Sequence, residues 1–158
     1  MSKVLTKLGL FFLIIGLTSC SYNPIFSEKN YNFEISEIFF SGEKSVNKVI
    51  QNNLNRIQKN QKTDKKKYNP KIHSKKNRKT ISKDSKGDPL KFEMIITVEF
   101  EIINDEGLIL KKSIEKNNIY NNDSDLFKLE QSEKIIIDNI SGNISDIIIS
   151  SIINLDDN

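Results

Sequence analysis

The chain has 158 residues, of which 37% are hydrophobic and 28% are charged, and its formal net charge at pH 7 is +3. This length allows one folded domain of ordinary size and leaves little room for a second. The chain contains one cysteine, so an internal disulfide is excluded. Isoleucine, lysine and asparagine are abundant while alanine is absent, so a single lysine or asparagine carries little functional weight.

The amino terminus has the features of a secretory signal peptide. Lys3 and Lys7 form a short basic start, and residues 8–17 form an apolar run of ten. That run is too short to cross a bilayer, which takes about 20 apolar residues. The run ends in Leu17-Thr18-Ser19-Cys20, which resembles the lipobox of bacterial lipoproteins. The alternatives are an ordinary signal peptide and a buried core helix, with a free thiol in both.

The lipobox resemblance implies a membrane anchor on Cys20. In that family the chain is cut just before the cysteine, the thiol receives a diacylglycerol, and the new amino terminus receives an acyl chain; no other cofactor is expected. Three acyl chains exceed the two signals that stable anchoring requires. Ser21 in the next position implies sorting to the outer membrane, on its periplasmic side. We therefore expect residues 1–19 to be the signal peptide, residues 20–32 a lipidated tether and residues 33–158 a single domain.

The domain is predicted to begin with a strand and a helix. Residues 33–44 are rich in apolar, β-branched and aromatic side chains and close with Ser41-Gly42, which predicts a strand. Ser45 is the expected N-cap of a helix over residues 45–59. Its apolar residues fall at helical spacing, and the stripe is expected to face the core rather than a partner: Val46, Val49, Ile50, Leu54 and Ile57.

A strongly basic segment follows the helix. Residues 59–91 contain 13 basic and three acidic side chains, a net charge of +10. We expect residues 60–67 to be a loop and residues 68–82 to be an extended edge strand, because prolines such as Pro70 and repeated lysines commonly protect a sheet edge. A disordered loop is the alternative, because few of these side chains can be buried. Residues 84–89 have the composition of a turn.

Alternating hydrophobicity gives the clearest pattern in the chain. It predicts a half-buried strand whose inward side chains are Leu90, Phe92, Met94, Ile96, Val98, Phe100 and Ile102. Residues 104–107 have the composition of a hairpin loop, and residues 108–120 are predicted to return as the partner strand.

A last helix is predicted after residues 121–124, which offer N-caps. Gly142 costs about 1 kcal/mol relative to alanine within a helix, so a kink or a break there is an open alternative. The expected fold is an α+β two-layer sandwich of order β-α-β-β-β-α, in which two helices cover a mostly antiparallel, four-stranded sheet. The apolar face of the last helix comprises Leu126, Leu129, Ile136, Ile137, Ile140, Ile144, Ile147, Ile148 and Ile152.

The start of the mature chain and its element order resemble the LptE family of lipopolysaccharide-assembly lipoproteins. The family opens with "CGFxPLY"; serine and tyrosine here replace its glycine and phenylalanine, and isoleucine-phenylalanine replaces its leucine-tyrosine. The matching positions are Cys20, Tyr22, Pro24, Ile25 and Phe26. The resemblance implies a protein that sits inside an LptD-like outer-membrane β-barrel, helps the barrel to fold and assists lipopolysaccharide to the outer leaflet. An accessory or binding lipoprotein of another envelope transport machine is the alternative function.

Motifs of catalysis or metal binding are lacking in the sequence. His73 is the only histidine, and no cysteine besides Cys20 is present, whereas a metal site needs several suitably spaced ligands. The sequence has neither a glycine-rich phosphate loop nor a nucleophile elbow. We therefore expect no enzyme and no metal.

The basic segment supplies the remaining candidate site. Its cations can meet the phosphates and acidic sugars of a lipopolysaccharide head group through charge-assisted hydrogen bonds. In an extended strand two of them share one face and three share the other. The alternative is a solvated, self-repelling loop, and a nucleic-acid partner is excluded by export. The candidates are Lys76 and Arg78 on one face, with Lys75, Lys79 and Lys83 on the other.

Overall fold

The computed structural model describes residues 33–58 and 66–156. The elements, in chain order, are β1 (Phe33–Ile35), β2 (Phe39–Gly42), α1 (Lys44–Gln58), β3 (Lys66–Lys83), β4 (Pro89–Asn104), β5 (Gly107–Asn121) and α2 (Leu126–Asp156). The predicted signal peptide, the tether and Cys20 lie outside the described residues. Residues 60–65 of the predicted loop lie outside them as well. The last two positions of that loop, Lys66 and Lys67, belong to β3.

The strands form one mixed sheet of five. β3, β4 and β5 are antiparallel neighbours, while β1 and β2 both pair in parallel with β3, one after the other along the same edge. The parallel pairing follows from the connection, because α1 carries the chain back to the side where β3 begins. The prediction of a mostly antiparallel sheet of four strands is thus correct for β3 to β5. It is wrong for the amino-terminal part, where one predicted strand is two.

Pro70 accounts for the interruption between β1 and β2. The carbonyls of Tyr68 and Ser74 each accept a backbone hydrogen bond of 3.1 Å from the β1–β2 side, so even-numbered residues of this part of β3 direct their backbone groups to that edge. An N–H at position 70 would point the same way, but proline has none. The side-chain oxygen of Asn69 accepts a bond from the Glu37 N–H instead, at 3.2 Å.

Both helices cover the same face of the sheet and enclose one apolar core. The predicted stripe of α1 is buried except for Val49, which is partly buried, and the predicted inward positions of β4 are buried except for Leu90, which is 49% exposed at the start of the strand. The core joins these side chains to β1, β3 and α2. Its members buried to 1% exposure or less are Ile35, Val46, Ile50, Leu54, Ile96, Val98, Phe100, Ile102, Ile144, Ile148 and Ile152.

Both helices begin at caps other than the predicted ones. α1 begins one residue before Ser45, whose hydroxyl donates to the Glu43 carboxylate at 2.9 Å, while the Glu43 carbonyl accepts the first helical bond from Asn47. The Asp125 carboxylate caps α2 by accepting the N–H of Phe127 at 3.0 Å. Asp125 lies one residue beyond the predicted capping segment of residues 121–124.

The second helix runs unbroken through Gly142, so the break is ruled out. Its predicted apolar face is buried or partly buried except for Leu126, which is 71% exposed at the first turn. Within the described residues, this helix has the length and composition that crossing a membrane would need, but half of its most apolar stretch is buried inside the domain. We therefore interpret it as the core helix of a folded domain.

Candidate functional site

The five predicted cations lie together in the carboxyl-terminal half of β3. All five residues are exposed, and the segment is a regular strand, so the disordered-loop alternative is wrong. The edge-strand prediction is correct for this half only. Residues 66–74 have β1 and β2 on one side, and β4 lies on the other side from Asn69 onward. No strand of the described part of the chain lies beside residues 75–83 on the β2 side.

The sheet divides these cations between its two faces, as strand alternation predicts. Lys76 and Arg78 pair in register with Ile96 and Met94, two buried side chains on the helix-covered face. The lysines at positions 75 and 79 stand on the open face. Lys83 follows two register shifts at the end of β3.

The cations on the helix-covered face are held by acidic side chains. The Lys76 ammonium lies 3.5 Å from the Glu43 carboxylate at the start of α1, and the Arg78 guanidinium lies 2.8 Å from the Glu133 carboxylate in α2. A hydrogen bond from Ser45, aided by Lys76 and opposed by burial, lowers the pKa of the Glu43 carboxyl. These two cations therefore join the sheet to the helices before any ligand is present.

Arg78 is the centre of a polar cluster at the end of the core. Its guanidinium carbon lies 4.4 Å from the centre of the Phe92 ring, a cation–π distance. The Tyr120 hydroxyl donates to the same Glu133 oxygen that accepts from Arg78, at 2.6 Å. The tyrosine ring also packs against Phe92, with ring centres 5.7 Å apart.

The ionisation of this cluster follows from its contacts. Burial raises the pKa of Glu133, but the hydrogen bonds from Tyr120 and Arg78 outweigh it, so that pKa lies below its ordinary value. The hydrogen bond to Glu133 raises the pKa of Arg78. Burial and the bond to Glu133 raise the pKa of Tyr120. At neutral pH the cluster is therefore a fixed ion pair with a neutral phenol.

The remaining cations, Lys75, Lys79 and Lys83, have no ion pair within 4 Å among the described residues. Lys79 stands opposite Glu93 in register, but the Glu93 carboxylate accepts its hydrogen bond from Asn117, at 2.6 Å. Three unpaired ammonium groups on one strand are suited to an anion with several separated charges. The candidate site is this trio, which we call the lysine edge.

A groove of about 690 Å³ lies between the two helices, next to Lys76. Val49 and Ile137 contribute apolar lining, and both Glu43 and Glu133 line it as well. Acidic and basic side chains are mixed along its length, so it has no charge preference that would select an anion.

The structure also brings Ser41 and His73 together on the strands. The serine hydroxyl lies 2.8 Å from Nδ1 of the histidine. Among the described residues no carboxylate is hydrogen-bonded to that ring, and no group of three or more histidine, cysteine or acidic side chains could hold a metal. The pair is part of the sheet surface, and the described part of the chain gives it no orienting third group of the kind that nucleophilic catalysis requires.

Glu43 and Glu133 are the residues that sequence reasoning missed. Glu133 is 55 positions from Arg78 in the chain, and its place beside that arginine depends on how α2 crosses the sheet. Glu43 lies next to the predicted end of the first strand, so only the strand order brings it to Lys76. Neither pairing has a sequence signal.

No protein-family model matches the chain, and no curated protein sequence matches it. Solved structures do match. Rare lipoprotein B from Shewanella oneidensis is 19% identical with a TM-score of 0.55, over 74% of this chain and 93% of that one. Lipoprotein B from Nitrosomonas europaea is 12% identical with a TM-score of 0.57, over 82% and 91%. A minor lipoprotein from Acinetobacter baumannii is 16% identical with a TM-score of 0.50, over 73% and 89%.

These likenesses confirm the predicted resemblance at the level of fold. All three proteins are described as lipoproteins, none as an enzyme. The shared part covers most of the described domain and nearly the whole of each matching chain. The chain therefore has the fold of rare lipoprotein B and related LptE-like lipoproteins.

Proposed function

We propose that the chain is a non-enzymatic outer-membrane lipoprotein of the LptE type, anchored through acylated Cys20 on the periplasmic side. It works as the partner of an LptD-like β-barrel, helping the barrel to fold and passing lipopolysaccharide toward the outer leaflet. The observation that carries this proposal is the combination of a lipobox with the rare lipoprotein B fold, since the two are independent of each other. One comes from residues 17–20 and the other from the domain after residue 32.

In this proposal the lysine edge meets the phosphates of lipopolysaccharide. Lys75, Lys79 and Lys83 are exposed and unpaired among the described residues, so an anion can reach them without first breaking an ion pair. Lys76 and Arg78 contribute less, because Glu43 and Glu133 already neutralise them. All five residues predicted from the sequence are thus proposed to contribute to binding, but the three lysines of the lysine edge contribute more of the affinity than Lys76 and Arg78.

The anchor is tested by processing in living cells. Mature protein from the cell envelope should begin at Cys20 and carry the mass of a diacylglycerol and an acyl chain. Cys20→Ala should carry neither, and globomycin should make the wild-type precursor accumulate. A mature terminus elsewhere, or an unmodified cysteine, would refute the anchor.

The ligand is tested by lipopolysaccharide affinity at low salt. Replacing Lys75, Lys79 and Lys83 together with serine should weaken binding severalfold, and the loss should shrink as salt rises, because exposed charges are screened beyond about 10 Å at 0.1 M. Serine at three exposed lysines elsewhere, Lys44, Lys48 and Lys116, makes the same change in net charge and should leave the affinity nearly intact. Equal losses in the two triple variants would mean that only net charge matters.

Purification of the tagged chain from detergent-solubilised outer membrane separates the proposed function from the alternative one. An accessory lipoprotein of another envelope machine would keep the anchor and the fold, but it would co-purify with components other than a large outer-membrane barrel.

A further inference from the structure

The carboxyl-terminal half of β3 is an open sheet edge. β2 pairs with β3 only as far as Gly42, opposite Ser74, and the chain then turns into α1. The Ser74 carbonyl accepts the last bond on this side, from the Glu43 N–H at 3.1 Å. Beyond it, no described strand continues the line of β2.

The backbone at this edge is directed outward. Even-numbered residues of β3 point their N–H and C=O groups away from β4, as Tyr68 and Ser74 show by accepting bonds from β1 and β2. The pairing with β4 continues without a register shift from Asn69 to Thr80, so Lys76, Arg78 and Thr80 present their backbone groups to the open side. Residues 75–83 span roughly 30 Å of strand, which is enough for a partner strand of ordinary length.

Basic side chains border this edge on both faces. A strand added there would place its alternate side chains beside Lys75 and Lys79 on the open face, where opposite charges across neighbouring strands stabilise pairing. On the other face it would pass close to Lys76 and Arg78, which already have acidic partners. Acidic side chains on the open face therefore complement the edge.

We propose that this edge binds an extended acidic segment of a partner polypeptide as an additional strand of the sheet. A lipid phosphate can use the lysine side chains, but it cannot supply the alternating donors and acceptors that the backbone offers; a peptide supplies both. The inference rests on the proposed function in one respect, namely that the protein has a polypeptide partner. The lysines also discourage pairing with a second copy of this edge, because like charges would meet.

The test uses the full chain purified from the cell envelope in a neutral detergent. The probe is a short, fluorescently labelled synthetic peptide of alternating glutamate and valine. Its binding to the chain is measured by fluorescence anisotropy at low salt. Controls are the same peptide with every internal amide nitrogen methylated, and a peptide of alternating lysine and valine. The acidic peptide should bind and protect the Lys76 and Arg78 amides from hydrogen exchange, while neither control should bind.

One position separates backbone pairing from charge. Lys76→Gln removes the ammonium and keeps the N–H, whereas Lys76→Pro removes both, at a site whose N–H is not needed by β4. We expect the peptide affinity of the glutamine variant to fall by up to about threefold. The affinity of the proline variant should be roughly tenfold lower still, because it also loses one backbone hydrogen bond. Circular dichroism and thermal unfolding must show that both variants are folded.

Several results would overturn the inference. They are equal peptide affinities of the two variants, binding of the methylated peptide, and absence of binding at millimolar acidic peptide. Binding of vesicles that contain an anionic phospholipid, with no binding of the peptide, would assign the edge to lipid. A dimer that the acidic peptide does not dissociate would assign it to a second copy. Each of these results is independent of whether a barrel co-purifies.

Discussion

Arg78 and Glu133 connect the end of β3 to α2 through a hydrogen-bonded ion pair of 2.8 Å. The two residues lie on the rim of the core, where Tyr120 donates to the same carboxylate oxygen at 2.6 Å. The guanidinium also covers the Phe92 ring. A residue that the sequence presents as one more cation in a basic run therefore fixes the position of a helix.

Arg78→Ala should lower the free energy of unfolding by about 1–2 kcal/mol, because it removes the ion pair and the cation–π contact. The Arg78 side chain is 47% exposed, which keeps the ion pair's share near 1 kcal/mol or less. Lys79→Ala, one position away and unpaired, should change stability by less than about 0.5 kcal/mol. Denaturant unfolding measures both. Equal stabilities would show that Arg78 is only a solvated cation.

The pKa of Glu133 predicts a loss of stability in acid. Because that pKa lies below its value in the unfolded chain, the stabilisation is present above the unfolded pKa and is lost as pH falls through the folded one. The free energy of unfolding should therefore fall more steeply between about pH 5 and pH 3 in the wild type than in Glu133→Gln. Glu130→Gln, an exposed change in the same helix, should retain the wild-type slope. Parallel pH profiles for wild type and Glu133→Gln would contradict the ion pair.

Gly42 is required where β2 turns into α1. Its φ is +90°, and a Cβ built there would overlap the carbonyl oxygen of Ser74. Gly87 offers a matched control, since its φ is +93° and a Cβ would meet nothing within 4 Å. Gly42→Ala should therefore cost about 2 kcal/mol more than Gly87→Ala, because both pay for the backbone conformation and only the first also clashes. Similar melting temperatures for the two variants would mean that β2 can move away from β3 at little cost.

The sequence predicted the elements whose evidence is local. Residues 90–102 alternate between apolar and polar side chains at every position except the outward Ile95. The strand has the predicted inward face, apart from Leu90 at its exposed start. The hairpin was also predictable, because Asn104 accepts the N–H groups of Glu106 and Gly107 as turn chemistry requires. The stripe of α1 likewise faces the core.

The features that were missed depend on pairing between distant residues. The first strand divides in two because Pro70, on a different strand, has no N–H to offer at that point of the ladder. Contacts between distant residues also explain why the candidate site was predicted only in part. Strand alternation gave the two faces correctly for residues 75–79. The acidic partners of Lys76 and Arg78, however, lie just before α1 and within α2, and their placement follows only from the whole fold.

The central claim, that this chain is a lipoprotein that works with a large outer-membrane barrel, is tested most directly by purifying the tagged full chain from detergent-solubilised outer membrane. Mass spectrometry should identify one large β-barrel protein in near-equal amount with the wild-type chain. Recovery of the chain alone, or with a different envelope assembly and no such barrel, would contradict the account.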